Sequence, residues 1–336
     1  MPEERTLRCA IVGYGSSFNM GRTHAQYINA IPGLQAVAVC DLDPLRLEQA
    51  RIELGDTIQT FRDVGDMLAR ADVDLVTVVT PHNTHARLAI QCLEAGKHVV
   101  TEKPMCITVA EATEMIDTAR RCERMLSVFH NRRWDGDHLA MRAIVDEGLL
   151  GELFHIEVNG GGWYRPGSDW RSDKAISGGA FYDWGAHLLY WVLGFLPGRI
   201  RNVTGFYHKR VWDHVTNEDH TQAVIRWENG AYADVQISTI ARAPKPRWRI
   251  LGTKGALLDE GQGQFTVYSG IGEHTARFEV KYRPTDWQGY YQNIADHLLR
   301  GQPLEITPQS ARRVIALIET AEKSSRSGQA EPVPCE

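Results

Sequence analysis

The chain has 336 residues, enough for about two domains with a core each. Hydrophobic residues make up 43% and charged residues 24%, and the net charge of −5 argues against a nucleic-acid-binding protein. No apolar run reaches the roughly 18 residues of a membrane span, and no secretory signal is expected. The six cysteines, Cys9, Cys40, Cys92, Cys106, Cys122 and Cys335, form no CxxC pair. That pattern fits reduced, buried thiols in a cytoplasmic protein, not a disulfide framework or a zinc site.

Residues 7–13 (LRCAIVG) are a short apolar run stopped by glycine, as in a buried parallel strand. A helix is predicted over 22–30, ended by Pro32 and Gly33, and a second strand over 34–40, ended by Asp41. A helix follows over 44–54, a strand over 75–80 before Pro81, a helix over 85–95 before Gly96, and a strand over 98–101. A helix over 109–122 and a strand over 125–129 complete the series. Repeated β-α-β units imply a parallel sheet with helices on both faces.

After Asn131 the texture changes. A helix is predicted over 138–146, then strands over 153–158, 201–207, 221–227, 232–239, 247–251 and 264–268. Turn signals such as Glu228-Asn229-Gly230 favour antiparallel hairpins. Helices over 289–300 and 308–325 close the chain. The expected fold is α/β: an N-terminal Rossmann dinucleotide-binding domain over 1–130 and an α+β substrate and oligomerisation domain over 131–325, with a large, mostly antiparallel sheet. The polar tail, 326–336, is expected to fray.

The first strand runs into Gly13-Tyr14-Gly15-Ser16-Ser17-Phe18-Asn19-Met20-Gly21. Gly13 and Gly15 permit a tight turn and close approach to a pyrophosphate, and the next helix offers free N–H groups. A plain turn after a strand explains a bare GxG about as well. A strict GxGxxG would place its third glycine where Phe18 stands, with Gly21 three residues later. Asp41 ends the second strand, where a dinucleotide fold needs an acid for the ribose hydroxyls. Asp41 and Asp43 would repel a 2′-phosphate, which favours NAD(H) over NADP(H), while Arg46 keeps NADP(H) open. Ser16 and Phe18 join Gly13, Gly15 and Asp41 as candidate cofactor contacts.

Several further segments carry a resemblance. These are Val79-Thr80-Pro81-His82-Asn83-Thr84-His85, Glu102-Lys103-Pro104, Asn131-Arg132-Arg133-Trp134, and Gly178-Gly179-Ala180-Phe181-Tyr182-Asp183-Trp184-Gly185-Ala186-His187. Tyr290-Tyr291-Gln292-Asn293 and Ile306-Thr307-Pro308 add to them. Together they resemble the glucose–fructose oxidoreductase/inositol dehydrogenase (Gfo/Idh/MocA) family over about residues 7–325. EKP alone means little, but EKP after TPxxxH and before a distant DxxxH is specific. The resemblance implies that Thr80, Pro81 and Asn83 line the nicotinamide-ribose side, with His85 opening the next helix. It implies that Glu102 and Lys103 sit at a strand end, Lys103 reaching ribose and substrate, and that Asn131 lies near both. Asp183 and His187 would form the acid/base pair. Tyr190 stands where many relatives carry Asp.

Alcohol oxidation by a nicotinamide needs a base for the hydroxyl proton, and ketone reduction needs the same group as an acid. An imidazole serves both directions, which makes His187 the candidate. Asp183 lies four residues earlier, so in a helix it shares a face with His187 and Tyr190, while Trp184, Leu188 and Trp191 take the core-facing side. Without the resemblance, an i,i+4 stabilising pair is the simpler reading of Asp183 and His187. Lys103 would stabilise a developing alkoxide. Trp163, Tyr164, Trp170 and Arg171 suit a sugar ring, although a packed loop or subunit contact explains them as well. The remaining histidines show no metal-ligand spacing, so no metal site is expected.

The expected activity is an NAD(P)-dependent dehydrogenase or reductase acting on CH–OH groups of a polyhydroxylated small molecule, a sugar, sugar derivative or cyclitol. Alternatives are a non-catalytic NAD(P)-binding regulator and an NAD-dependent, redox-neutral glycoside-cleaving enzyme. No nucleic-acid or membrane partner is expected. A homodimer or homotetramer is expected by analogy with the family.

Overall fold

The short apolar runs of the N-terminal half become strands enclosed on both faces. The computed structural model describes residues 5–15 and 18–336. In chain order the elements are β1 (Leu7–Val12), α1 (Met20–Ala30), β2 (Leu34–Cys40), α2 (Pro44–Leu54), β3 (Gln59–Phe61), α3 (Val64–Arg70), β4 (Leu75–Val78), α4 (His85–Glu94), β5 (His98–Thr101), α5 (Val109–Arg121) and β6 (Leu126–Val128). The strands pair in parallel in the order β3-β2-β1-β4-β5-β6. Ile11, Leu75, Val76, Val99 and Val100 have no exposed surface, which is why these strands read as continuous apolar runs. Strand order reverses between β1 and β4, and the crevice at such a reversal is where open α/β sheets take ligands.

Local chemistry sets the helix starts. The Asp43 side chain accepts from Leu45 N–H ahead of α2, whose first residue is Pro44. Thr108 and Glu111 form a reciprocal capping box at the start of α5. β3 and α3 were not expected from the sequence. A three-residue strand and a seven-residue helix are too short for periodicity to register.

The second half holds α6 (Gly136–Asp146), β7 (Leu153–Gly161), α7 (Lys174–Ser177), α8 (Trp184–Phe195), β8 (Ile200–His208), β9 (His220–Trp227), β10 (Tyr232–Ser238), β11 (Trp248–Gly252), β12 (Gly255–Asp259), β13 (Gln264–Ile271) and β14 (His274–Lys281). They form an eight-stranded sheet in the order β14-β13-β12-β11-β7-β10-β9-β8. Every pair is antiparallel except β7 with β10. β9 and β10 make the hairpin that Glu228-Asn229-Gly230 signalled, closed by Trp227 N–H to Ala231 O at 2.8 Å. α8 packs on β7 and β10. β12 and β14 were also not expected. β14 is an edge strand with no buried residue, although Ala276, Phe278 and Val280 alternate with Arg277, Glu279 and Lys281.

The last helices are α9 (Gln288–Arg300) and α10 (Pro308–Ser327). Contacts divide the chain into two compact units: residues up to His130 with Trp287–Arg312, and Asn131–Asp286 with Arg313–Glu336. The first unit therefore recruits α9 from near the end of the chain. The tail corrects the expectation of fraying. Glu331 exchanges two backbone hydrogen bonds with Val203 at 2.9 Å, and the Glu336 carboxylate accepts from Arg313 Nε at 2.7 Å and from Ile200 N–H at 2.9 Å. The tail is held because β8, the last strand of the sheet, offers unpaired backbone groups at its outer edge.

Candidate active site

In the first unit, β1 leads into Gly13, which adopts φ +100°. A Cβ there would lie 2.1 Å from Val79 O, so the turn passes too close to β4 for any side chain. A Cβ on Gly21 would lie 2.5 Å from Gly13 O and 2.9 Å from Tyr14 Cα. Gly21 thus gives the close helix–strand approach that the third glycine of the motif provides, three residues later than the motif places it. Sequence reasoning had left Gly21 out of the site, and its signal was the longer loop. Gly15 has no atom within 4 Å of its Cβ position, which leaves room for a ligand against the backbone. Phe18 is 73% exposed, and Asn19 begins α1 without a side-chain cap. Ser16 lies outside the described residues.

Asp41, just past β2, ties this loop down. Its Oδ2 accepts from Tyr14 N–H at 2.6 Å and its Oδ1 from Asp43 N–H at 2.9 Å. Tyr14 is buried and donates to Glu53 Oε2 at 2.8 Å. Arg46 pairs with Asp43 at 3.6 Å. Open space over Gly15, the uncapped start of α1 and the acid at the end of β2 together suit a dinucleotide: glycine backbone and helix N–H groups for the pyrophosphate, a carboxylate for ribose hydroxyls.

The segments after β4 and β5 are bound to each other. Thr80 Oγ1 lies 2.7 Å from Thr84 Oγ1, and the Thr84 hydroxyl donates to Pro81 O at 2.6 Å. Thr80 and Pro81 are half-buried and Asn83 is exposed. His85 is fully buried, with Nδ1 2.8 Å from Pro104 O and Nε2 2.8 Å from Thr80 O. Burial lowers the His85 pKa, against the opposing pull of those two carbonyls. With no exposed surface, His85 acts as a brace between the TP and KP segments and reaches a ligand only through their backbone. Glu102 Oε2 accepts from Lys103 N–H at 3.0 Å, and Lys103 is half-buried at the strand end.

The second unit carries the DxxxH pair. Asn131 is buried in a 3₁₀ turn, Asn131–Trp134. Asp183 occupies the cap position ahead of α8, with φ −81° and ψ −91°, and is half-buried. His187 follows in the first turn at 5% exposure. The expected two-faced helix needs correction. His187, Leu188, Tyr190 and Trp191 are all buried, and Trp184, expected to face the core, is 41% exposed. α8 is apolar nearly all round, so it is enclosed as a core helix, exposed at Gly194 near its end and at Trp184 at its start. There Arg132 places its guanidinium 4.5 Å over the Trp184 ring, which in turn lies 5.9 Å from the His187 ring.

Trp163 and Tyr164 are 40% and 51% exposed. Burial, with the Asp183 charge adding to it, raises the Tyr164 pKa. Arg242 lies 3.4 Å over Trp163, Trp212 is 5.5 Å from it, and Arg171 lies 4.3 Å over Trp170. Sequence reasoning missed Arg132, Arg242 and Trp212, which come from separate loops and share no spacing signal. Among the described residues no group of three or more His, Cys, Asp or Glu could hold a metal ion, and no helix is long and apolar enough to cross a membrane.

A six-stranded parallel sheet with a glycine turn at its reversal point and an acid at the end of β2 defines a Rossmann dinucleotide-binding unit. The model of the oxidoreductase family with an NAD-binding Rossmann fold, GFO/IDH/MocA, matches residues 7–130, and the model of its C-terminal domain matches 138–258. The chain belongs to the Gfo/Idh/MocA family of oxidoreductases. It is 33% identical to the uncharacterized oxidoreductase YdgJ of Escherichia coli, over 95% of this chain and 96% of YdgJ. It is 26% identical to the scyllo-inositol 2-dehydrogenase (NADP(+)) IolW of Bacillus subtilis, over 96% of this chain and 94% of IolW. The crystal structure of an NAD-binding protein from Listeria innocua superposes with a TM-score of 0.85 at 28% identity, over 98% of this chain and 97% of the other.

Proposed function

We propose that this protein is an NAD(H)-dependent dehydrogenase or reductase acting on a secondary hydroxyl or keto carbon of a sugar, sugar derivative or cyclitol. The observation that carries the reading is the retention of the full chemical set: Lys103 half-buried at the end of β5, and Asp183 with His187 at the start of α8. The name of IolW, a relative along nearly the whole chain, supports a cyclitol-like substrate.

The bound nicotinamide supplies the hydride acceptor or donor. Gly13, Gly15 and the start of α1 hold the pyrophosphate, with Phe18 beside them, and Asp41 takes ribose hydroxyls. Thr80, Pro81, Asn83, Glu102 and Asn131 serve the nicotinamide-ribose side. Lys103 polarises the reacting oxygen and favours its anionic form. His187 takes the hydroxyl proton in oxidation and returns it in reduction. Asp183 orients His187 or holds a second hydroxyl. Trp163, Tyr164, Trp170 and Arg171 present aromatic faces and donors to the ring. Asp41 and Asp43 favour NAD(H) over NADP(H) by repelling a 2′-phosphate, and Arg46, 3.6 Å from Asp43, keeps NADP(H) open as the alternative. No disulfide joins the six cysteines, and four of them are buried while Cys122 is half-buried and Cys335 exposed, a pattern that suits a reducing, cytoplasmic setting. The protein self-associates as a homodimer or homotetramer.

The test is a screen of sugars and cyclitols with NAD⁺ and NADP⁺, read as absorbance of the reduced nicotinamide. On the substrate found, His187→Ala is expected to lose about 10²–10⁴-fold in turnover with NADH binding retained. Unchanged turnover would remove His187 from its role. NADH binding without turnover on any polyol would favour the regulator.

A further inference from the structure

A buried chain of side chains reaches Lys103 from other elements of the first unit. Thr77 on β4, His24 on α1 and Tyr291 on α9 have no exposed surface. Thr77 Oγ1 lies 3.1 Å from Tyr291 OH, and Tyr291 OH lies 2.8 Å from His24 Nδ1. His24 Nε2 lies 3.0 Å from Glu102 Oε1, and the other oxygen of that carboxylate accepts from Lys103 N–H at 3.0 Å. Glu102 is thus held between a histidine from the first helix and the backbone of the lysine.

A carboxylate only accepts, so His24 Nε2 carries the proton it donates. Nδ1 then accepts from Tyr291, whose oxygen takes the Thr77 hydroxyl proton, or donates to Tyr291, whose hydroxyl turns to Thr77. Either pattern satisfies every link. The Phe129 ring, 4.3 Å from the imidazole, and the edge-on Tyr291 ring at 5.8 Å fix the imidazole plane. Burial pushes the Glu102 pKa up, but the His24 hydrogen bond and charge, with Lys103, bring it below the usual carboxylate value. An ionised carboxylate in such surroundings is costly unless hydrogen-bonded, and His24 supplies that bond.

We infer that His24 is a positioning residue for Lys103: its Nε2–H fixes the Glu102 carboxylate, and the carboxylate so fixed accepts from the Lys103 N–H and sets the backbone from which the lysine side chain extends. Tyr291 and Thr77 keep the imidazole turned to Glu102. The catalytic meaning of this chain rests on the role given to Lys103 above. The physical link does not.

The experiment compares two substitutions that keep opposite halves of the imidazole. His24→Gln keeps a donor near the Nε2 position, toward Glu102. His24→Asn keeps a polar group near Nδ1, toward Tyr291. Wild type and both variants are treated with formaldehyde and a borane reductant, and methylation of each lysine is followed by peptide mass spectrometry. Lys254 and Lys281, both exposed, are the internal controls. Relative to them, Lys103 is expected to label about tenfold faster in His24→Asn, the scale of one lost hydrogen bond to a charged group, and within about twofold of wild type in His24→Gln. Equal labelling of Lys103 in all three proteins overturns the inference. So does an equal change in both variants, or an acceleration shared by all lysines, which would mark His24 as a folding residue only. Turnover by Lys103→Ala is measured separately. If it persists while the His24→Asn effect stands, the catalytic role of Lys103 fails and the positioning link survives.

Discussion

Asp41 accepts from two backbone N–H groups, and one of them, on Tyr14, belongs to the glycine turn itself. It therefore shapes the turn, in addition to the ribose contact proposed for it. Asp41→Ala is expected to weaken NADH binding by about tenfold, the scale of a lost charged hydrogen bond, and NADPH binding by less, since a repulsive charge goes with it. Fluorescence titration of both nucleotides measures the difference. An unchanged ratio of the two affinities would separate Asp41 from cofactor choice. Asp41 was legible in the sequence because it follows a strand that ends at a marked position, and Lys103 through the family resemblance that its EKP segment helps to carry. His24 was not, because nothing near residue 24 announces a partner at Glu102 or Tyr291.

Gly15 in the turn after β1 and Gly21 in the first turn of α1 separate packing from ligand approach. Gly21→Ala would put a methyl group 2.5 Å from Gly13 O, against backbone that has to move. The expected cost is about 1–3 kcal/mol, seen as a lower urea midpoint. Gly15→Ala meets open space and is expected to leave the midpoint in place while weakening NADH binding. At the other side of the sheet, Thr108→Ala removes the reciprocal cap of α5 and is expected to cost about 1 kcal/mol. Long, strongly patterned elements such as β1, β2, α5 and α9 were readable from periodicity. β3 and α3 were not, because they are very short, and β12 was not, because it follows β11 after a tight glycine turn; β14 was missed although Ala276, Phe278 and Val280 alternate with charged residues. α8 was readable as a helix, but its apolar residues go nearly all the way round, so periodicity could not say which side chain reaches the surface.

Buried histidines link the stability of the whole molecule to pH. Burial, with the Lys103 charge adding to it, depresses His130 to about 3 from the usual 6.5. Burial depresses His138 to about 3, and burial with the Arg124 charge depresses His98 to about 4. The native state keeps these rings neutral where the unfolded chain protonates them. Their contribution is complete above pH 6.5 and is lost as pH falls toward the folded values. Each fully buried ring is expected to lower stability by about 1.4 kcal/mol per pH unit within that window. Urea midpoints at pH 7.5 and 5.5 should differ, lower at 5.5, and His98→Gln should shrink the gap. A midpoint unaffected by pH across this range would contradict the burial of these rings.

The self-association proposed above needs a surface on the outside of the second sheet. Phe206 and Tyr232, 42% and 40% exposed, stand on the sheet face opposite to Gly205 and Val203, which face α10 or the core. Glu157 on that face is paired with Arg249 and Lys245. Partly apolar, partly charged surface of this kind suits an isologous contact. Replacing both aromatic residues with Glu is expected to yield monomers by light scattering. An assembly unchanged by the double substitution would place the contact elsewhere.

The order of amino acids alone determined a nucleotide-type α/β half followed by an antiparallel half, the glycine turn, the acid after β2, and the EKP and DxxxH segments. Each of those is written within a short stretch of chain, where periodicity and spacing act. Tertiary structure alone decided that Gly21 seats α1, that Trp184 reaches the surface, that the tail covers β8, and that α9 brings Tyr291 to His24 across 267 residues. Such pairings are chosen by packing and by the need to satisfy buried polar groups, and neither leaves a local pattern along the chain.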